Sequence, residues 1–354
     1  MKILFVITGL GGGGAERQLV DVADKLSEKG NDVIIAHLLN NVKIRPQKEN
    51  IRLVYLGLKV KNPFSLILAA YNLRKLIKKE RVEVVHSHMV HANLLSRFVR
   101  LFVKIPLLVC TAHSNNEGGV VRMLLYRWSH GLCDVMTSVS QDTAIEFEKR
   151  GAVPIGGITA ICNGIDVNKF VPNKEKNKKC RHKFLAVGRL VEAKDYPNLL
   201  LAFSDLSRQV PSVSLDIVGD GPLREMLESK IIELNMEHNV RLLGWREDID
   251  KLMRIYDFFV ISSSYEGFGL VVAEAMASGM PVISTDSGGV REIIGNFGYI
   301  VPISNFSALS EMLRKAIDLT DDQYETLALG GRQRIVENYS IDSTVNQWLK
   351  LYKS

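Results

Sequence analysis

The stretch DFFVISSSYEGFGLVVAEAMASGMPVIST, residues 257–285, decides how the rest of the chain is read. It begins with a continuous apolar run that ends in serines, the pattern of a short strand buried on both faces. A turn bearing Gly267 and Gly269 follows. From Gly269 the residues are good helix formers until Gly279 and Pro281 stop them, and PVIST then reads as a second buried strand. Strand, glycine turn, helix, strand is the repeating unit of a parallel sheet.

The same unit recurs in both directions. Before residue 170 the strand candidates are ILFVIT, DVIIAHL, VEVVHSH, PLLVCTAH, DVMTSVS and GITAICNG. After residue 183 they are KFLAVGRL, SLDIVGDG, NVRLLGW, DFFVISS, PVISTDS and GYIV. Helical segments lie between them, such as 15–29, which keeps Leu19, Val22, Ala23 and Leu26 on one face. Residues 170–183, FVPNKEKNKKCRHK, are polar, charge-dense and without apolar period, as a linker is. The fold class is therefore α/β, with two doubly wound, Rossmann-like parallel-sheet domains facing a cleft. The expected division is 1–170, 171–335, and a last helix within 336–354.

Length and composition agree. A chain of 354 residues exceeds one ordinary core, and 46% hydrophobic with 24% charged residues is globular rather than disordered. No run of about 18 uncharged apolar residues would span a membrane. MKILFVITGL runs straight into glycines without a small-residue cleavage site, so it reads as a first strand rather than a signal peptide. Cys110, Cys133, Cys162 and Cys180 form no CxxC pair, which fits reduced thiols in a cytoplasm better than disulfides or zinc. Through Phe170, 23 Lys and Arg stand against 14 Asp and Glu; beyond it the count is 22 against 25. A basic front half and a mildly acidic back half imply different partners.

In open α/β sheets ligands bind beyond the carboxyl ends of the strands, and there the polar clusters gather. Gly9–Gly14 satisfies GxGxxG, but the strand VIIAHLL ends without the acid that would hold a dinucleotide ribose, and GxxxxGK[ST] is absent. What remains is a glycine loop at a helix start that suits an anion. The turn before Leu270 offers the same chemistry, flanked by Glu266 and followed by Glu274. Eight helical residues rise about 12 Å, too far for a glycosidase pair of carboxylates. That spacing suits two hydroxyl-rich groups separated by a diphosphate, a ribose diol and a sugar. Arg189, after Gly188 at a strand end, and Lys194 in the next loop would neutralise the diphosphate.

These residues, with Gly13-Gly14-Ala-Glu-Arg, His86-Ser-His88, Thr111-Ala-His113, Asn163-Gly-Ile-Asp166 and Gly219-Asp220-Gly221, give a chain that resembles the retaining GT-B glycosyltransferases of family 4, group 1 type, over nearly its whole length. The most specific match is E-x7-E, Glu266 and Glu274, in the setting EGFGLVVAEAMASGMPVI. The resemblance implies that Glu274 binds the nucleotide ribose and Glu266 the donor-sugar hydroxyls. Arg189, Lys194 and backbone amides at Gly269, Leu270 and Val271, beside Phe268, would hold the diphosphate. Gly13, Gly14, Gly188, Gly219, Asp220 and Gly221 complete the nucleotide-sugar set. One departure is Lys194-Asp195, where many relatives have Lys-Gly. The helix near 341–352 is expected to cross back onto the front lobe.

The reaction so implied moves a hexose or N-acetylhexosamine from a nucleotide diphosphate sugar, UDP favoured, to a hydroxyl of a glycan or polyprenyl-diphosphate-linked acceptor. The catalytic candidates are His113, Arg189, Lys194 and Glu266; His86, His88 and Asn163 are acceptor-side candidates. Arg189, Lys194 and the helix terminus would supply the charge that holds the diphosphate, so no metal and no cofactor beyond the donor is expected. The histidines 86, 88 and 91 lack a carboxylate of ligand spacing. Two basic amphipathic segments, 64–79 and 94–109, the latter with Arg97, Arg100 and Lys104 beside Phe98 and Phe102, suit an anionic membrane surface. The expected location is cytoplasmic, peripheral on the inner membrane. Basic residues are not interleaved with stacking aromatics, which argues against nucleic acid. A nucleotide-sugar epimerase or hydrolase, or a non-catalytic nucleotide-sugar-binding regulator, are the alternatives.

Overall fold

The computed structural model describes residues 1–114, 117, 119–173 and 181–353; Cys180 and the middle of the expected linker lie outside them. The chain divides into two compact units, one of Met1–Gly164 with Ile341–Ser354, the other of Ile165–Ser340.

The first unit is built on seven strands: β1 (Lys2–Ile7), β2 (Asp32–His37), β3 (Arg52–Tyr55), β4 (Val84–His88), β5 (Leu107–Ala112), β6 (Val135–Ser138) and β7 (Thr159–Ala160). They lie in the order β3-β2-β1-β4-β5-β6-β7, all parallel. In β1, Leu4 and Val6 point into one apolar layer and Ile3, Phe5 and Ile7 into the other, all fully buried. That is why the strand reads as an unbroken apolar run rather than an alternating one. The second layer is closed by the helix Gly14–Glu28 and by the last helix, Ile341–Lys353, whose Val345, Trp348 and Tyr352 join Ile3 and Phe5.

The second unit carries β8 (Lys183–Val187), β9 (Ser214–Val218), β10 (Val240–Gly244), β11 (Phe258–Ile261), β12 (Val282–Thr285) and β13 (Gly298–Val301). Their order is β10-β9-β8-β11-β12-β13, again parallel. In both sheets the order reverses beside the first strand, between β1 and β4 and between β8 and β11. A crevice opens beyond the carboxyl ends at such a reversal.

Three local readings are corrected. Arg52–Tyr55 is a strand, short and half-exposed at the sheet edge, so it gave little apolar signal. GITAICNG yields only the two-residue β7. The helix expected over 94–109 stops at Arg100, because Ile105-Pro106 already leads into β5. Its basic stripe dissolves as well. Arg97 is fully buried, donating to the Tyr126 carbonyl (3.2 Å) and Ser129 Oγ (3.0 Å) and lying against the Tyr126 ring, while Arg100 forms a fork with Asp134 at 2.6 and 2.7 Å.

Candidate functional site

The polar side chains of the second unit converge where β8 and β11 end side by side. Beyond β8 the chain passes Gly188 and Arg189, and a short turn, Glu192–Lys194, presents Lys194. Beyond β11 come Ser262, Ser263 and Ser264. The two loops are stapled together: the Ser264 amide donates to the Ala193 carbonyl (2.9 Å) and Ser262 Oγ to the Lys194 carbonyl (2.8 Å). The staple delivers Lys194 Nζ onto Glu266 Oε1, which also accepts from Ser263 Oγ at 2.7 Å. Both ionic side chains are mostly buried, which strengthens their attraction relative to an exposed pair.

Asp195, following Lys194, sits at φ 44°, the left-handed region where a glycine is at ease. Its carboxylate accepts from Ser304 Oγ at 3.1 Å, a local compensation for the lysine-aspartate pair.

The helix Leu270–Ala277 starts beside Glu266. Gly269 precedes it at φ 92°, and no side chain caps it. Its first amides and positive end therefore face an anion's position. Glu274, about one turn into the helix, is 7% exposed. Phe268 is also buried, packed edge-on against Tyr339, so it acts as a wedge under the turn and offers no ring face to a ligand.

The Gly219-Asp220-Gly221 turn is packed against the Arg189 loop. Gly188 N–H donates to the Val218 carbonyl, and Leu190 N–H to the Asp220 carbonyl (3.0 Å). A Cβ on Gly219 would overlap the Gly188 carbonyl oxygen, and one on Gly221 would lie 2.5 Å from that of Leu190. These glycines admit the Arg189 loop. Asp220 binds its neighbour's amide, Gly221 N–H, at 2.8 Å. Arg189 itself is exposed.

In the first unit the carboxyl ends of β4 and β5 hold three histidines. His86 is fully buried, with Nδ1 at 2.6 Å from the Tyr352 hydroxyl and Nε2 at 2.7 Å from Thr111 Oγ1. Both ring nitrogens are engaged within the fold, so His86 leaves the acceptor-side set and becomes the anchor of the last helix. His88 Nδ1 lies 2.9 Å from His113 Nε2. Burial holds all three imidazoles below the usual range, His113 down to about 4. Asn163 is buried at the edge of the same cluster. Glu117, unremarked in the sequence, accepts the His113 amide (2.9 Å) and the Tyr126 hydroxyl; burial raises its carboxyl to about 7.

At the glycine loop, the helix Gly14–Glu28 has no side-chain cap, and its first turn carries Glu16. The Glu16 carboxylate stands against Gly13, at the helix start assigned to Gly13 and Gly14. Among the described residues no group of three or more His, Cys, Asp or Glu is placed to hold a metal.

Residues 167–334 match the model of the glycosyl transferases group 1, and residues 12–169 that of glycosyltransferase family 4. A UDP-Gal:alpha-D-GlcNAc-diphosphoundecaprenol alpha-1,3-galactosyltransferase of Escherichia coli is 27% identical over 308 residues, covering 79% of this chain and 78% of that one. An N-acetylgalactosamine-N,N'-diacetylbacillosaminyl-diphospho-undecaprenol 4-alpha-N-acetylgalactosaminyltransferase of Campylobacter jejuni is 27% identical over 335 residues, 90% of each chain. Among solved structures, a glycosyltransferase from Rickettsia africae superposes with a TM-score of 0.85 at 21% identity, over 99% of this chain and 97% of that one. The Anabaena protein HepE, in complex with UDP and glucose, also gives 0.85, at 20% identity over 100% and 99%.

Proposed function

Because this chain is a GT-B glycosyltransferase of the group 1, family 4 type, we propose that it transfers a hexose or N-acetylhexosamine from UDP, with retention, to a hydroxyl of a glycan or polyprenyl-diphosphate-linked acceptor. The observation that carries this reading is the join of β8 and β11, where Lys194, Glu266 and Ser263 meet beside an uncapped helix start with Glu274 about one turn along it. The Glu266 carboxylate, the Lys194 cation with the helix-start amides, and the Glu274 carboxylate match a sugar, a diphosphate and a ribose in that order. The two relatives bear on the acceptor and the outcome, since both names carry an alpha linkage and an undecaprenyl diphosphate.

In this reading Lys194, Arg189 and the amides of Leu270 and Val271 stabilise the departing diphosphate without a metal, by charges fixed before the reaction begins. Glu274 holds the ribose, and Glu266 the sugar hydroxyls once the donor phosphate draws Lys194 away. The leaving phosphate oxygen takes the acceptor proton on the face it vacates, which gives retention. On the first unit, His113 hydrogen-bonds a substrate hydroxyl.

Membrane contact belongs to the proposal too, on a revised surface. Phe64 (76% exposed), Ile67, Tyr71, Phe98 and Phe102 stand out from the helices Phe64–Glu80 and Val90–Arg100 and the turn after them. Arg74 Nε ties these elements by donating to the Phe102 carbonyl, and Lys75, Lys78 and Lys79 lie alongside. Apolar rings ringed by lysines suit the headgroup layer of an anionic bilayer at the cytoplasmic face. No described helix is long and apolar enough to cross a membrane. Co-sedimentation with anionic vesicles at low salt, lost in a Phe64→Ser/Phe98→Ser variant, is the expected result; indifference to vesicles refutes docking.

The donor is tested by thermal stabilisation across UDP, GDP, ADP and their sugar conjugates, with Glu274→Ala beside the wild type. A ligand at 100 times its dissociation constant adds about 2.7 kcal/mol. Stabilisation by the uridine series alone, lost in Glu274→Ala, is the expected outcome. Equal stabilisation of that variant removes the ribose role, and release of free sugar without an acceptor would favour a hydrolase.

A further inference from the structure

Gln18 stands one helical turn before Val22 and two before Leu26, on the face of the helix Gly14–Glu28 that meets the sheet. It is 4% exposed, and neither its amide oxygen nor its amide nitrogen has a hydrogen-bond partner in the protein. His88 Nε2 is buried and unpartnered as well. Both side chains border one narrow cavity, lined also by Val22, His113, Ile161, Asn163 and Trp348, with room for about one water. Thr111 also borders it, but its hydroxyl is engaged by His86 and Thr137 at 2.7 Å each.

Buried amide and imidazole groups left unpaired are destabilising. One water, with two donors and two lone pairs, can serve Gln18 and His88 Nε2 together. We infer that this cavity is a built water site and that Gln18 is a positioning residue for His113, acting through the water and His88. The inference rests on the reading of His113 as a substrate-binding histidine.

The chain of contacts has a direct chemical consequence. His113 Nε2 is committed inward to His88 Nδ1, so Nδ1 is the His113 ring nitrogen that remains for a substrate hydroxyl. A neutral imidazole has one N–H and one lone pair. Whichever role the water fixes at His88 Nε2, the opposite role falls to His88 Nδ1, and this decides whether His113 offers a proton or a lone pair outward. Without the water both arrangements are open, and the ring of His113 is less firmly held.

The test is the 15N spectrum of the imidazoles in the full chain, with Gln18→Met and Val22→Ile beside the wild type. The first variant removes the polar anchor, and the second fills the cavity without touching Gln18. The wild type should show magnetisation transfer between a bound water and the His88 ring, and one tautomer each for His88 and His113. Both variants should lose the transfer and mix the His113 tautomers, with turnover about tenfold lower at unchanged donor KM. Absence of the water contact in the wild type, or wild-type imidazole signals in both variants, overturns the inference. His113→Ala separates the two levels. Unchanged turnover there removes the role of His113 itself, whereas unaltered spectra in Gln18→Met remove the water link and leave that role standing.

Discussion

Gly219→Ala tests whether the glycines after β9 serve the architecture of the donor site. A Cβ at this position would overlap the Gly188 carbonyl oxygen and lie 2.8 Å from its carbon. Both are backbone atoms, so no side-chain rotation relieves the contact. Gly219 also sits at φ 139°, a region essentially closed to other residues. The strained dihedral costs on the order of 1–3 kcal/mol and the overlap about as much again. The cheaper response is to push the Gly188–Arg189 loop off the turn by about 1 Å, and misplacement on that scale costs about a hundredfold in turnover.

Gly30→Ala is the control. Gly30 lies at φ 80° with nothing within 4 Å of the added carbon, so it costs only the dihedral, about 1–2 kcal/mol. Thermal unfolding and UDP titration of both variants give the comparison. Gly219→Ala should fall well below Gly30→Ala in midpoint and bind UDP weakly, while Gly30→Ala binds normally. Equal midpoints and equal UDP affinity would refute the claim that the turn positions Arg189.

Three further outcomes are expected. Lys194→Met leaves Glu266 with Ser263 alone; on the proposed role of Lys194, losing its charged hydrogen bond to a diphosphate, about 1.5–3 kcal/mol, should shrink the UDP-induced thermal shift, and a full-sized shift would count against the site. Tyr352→Phe strips the hydroxyl from fully buried His86 Nδ1 and should cost about 1–3 kcal/mol, a midpoint drop of several degrees; an unchanged midpoint would deny the last helix its anchor. The pH dependence has two limbs of opposite sign. His86, His88 and His113 are depressed on folding, so the unfolded chain binds more protons below about 6.5 and stability falls as pH drops toward 4. Glu117 is raised from 4.5 to about 7, so its folded form holds the extra proton and stability falls as pH rises through that window. Glu117→Gln should therefore gain on the wild type by about 3 kcal/mol between pH 4.5 and 8, read as the difference between their denaturation midpoints. A pH-independent difference would place Glu117 in contact with solvent.

The alternation of apolar strands and helices was legible in the sequence because a parallel sheet covered on both faces leaves a local signature every few residues. The E-x7-E stretch was legible for the same reason: strand, turn and helix are continuous there, so local geometry sets the spacing of Glu266 and Glu274, while Lys194 and Ser263 fix the Glu266 carboxylate. What the sequence did not show depends on residues far apart. Arg97 reads as a surface cation on an amphipathic helix, yet its partners Tyr126, Ser129 and Met136 lie some thirty to forty residues downstream, and only the folded sheet brings them over it. Glycine is ambiguous for a related reason. The missing Cβ that lets a phosphate approach also lets a second loop approach, and only the neighbour's position says which, as at Gly219 and Gly221. Gln18 is the opposite case, because its signal was present: a polar residue one turn ahead of Val22 and Leu26 interrupts a core-facing stripe. Such an interruption is expensive unless something polar meets it. A buried amide on an otherwise apolar helix face therefore points, from sequence alone, to something polar beneath it, and here the cavity it borders is also lined by His88 and His113.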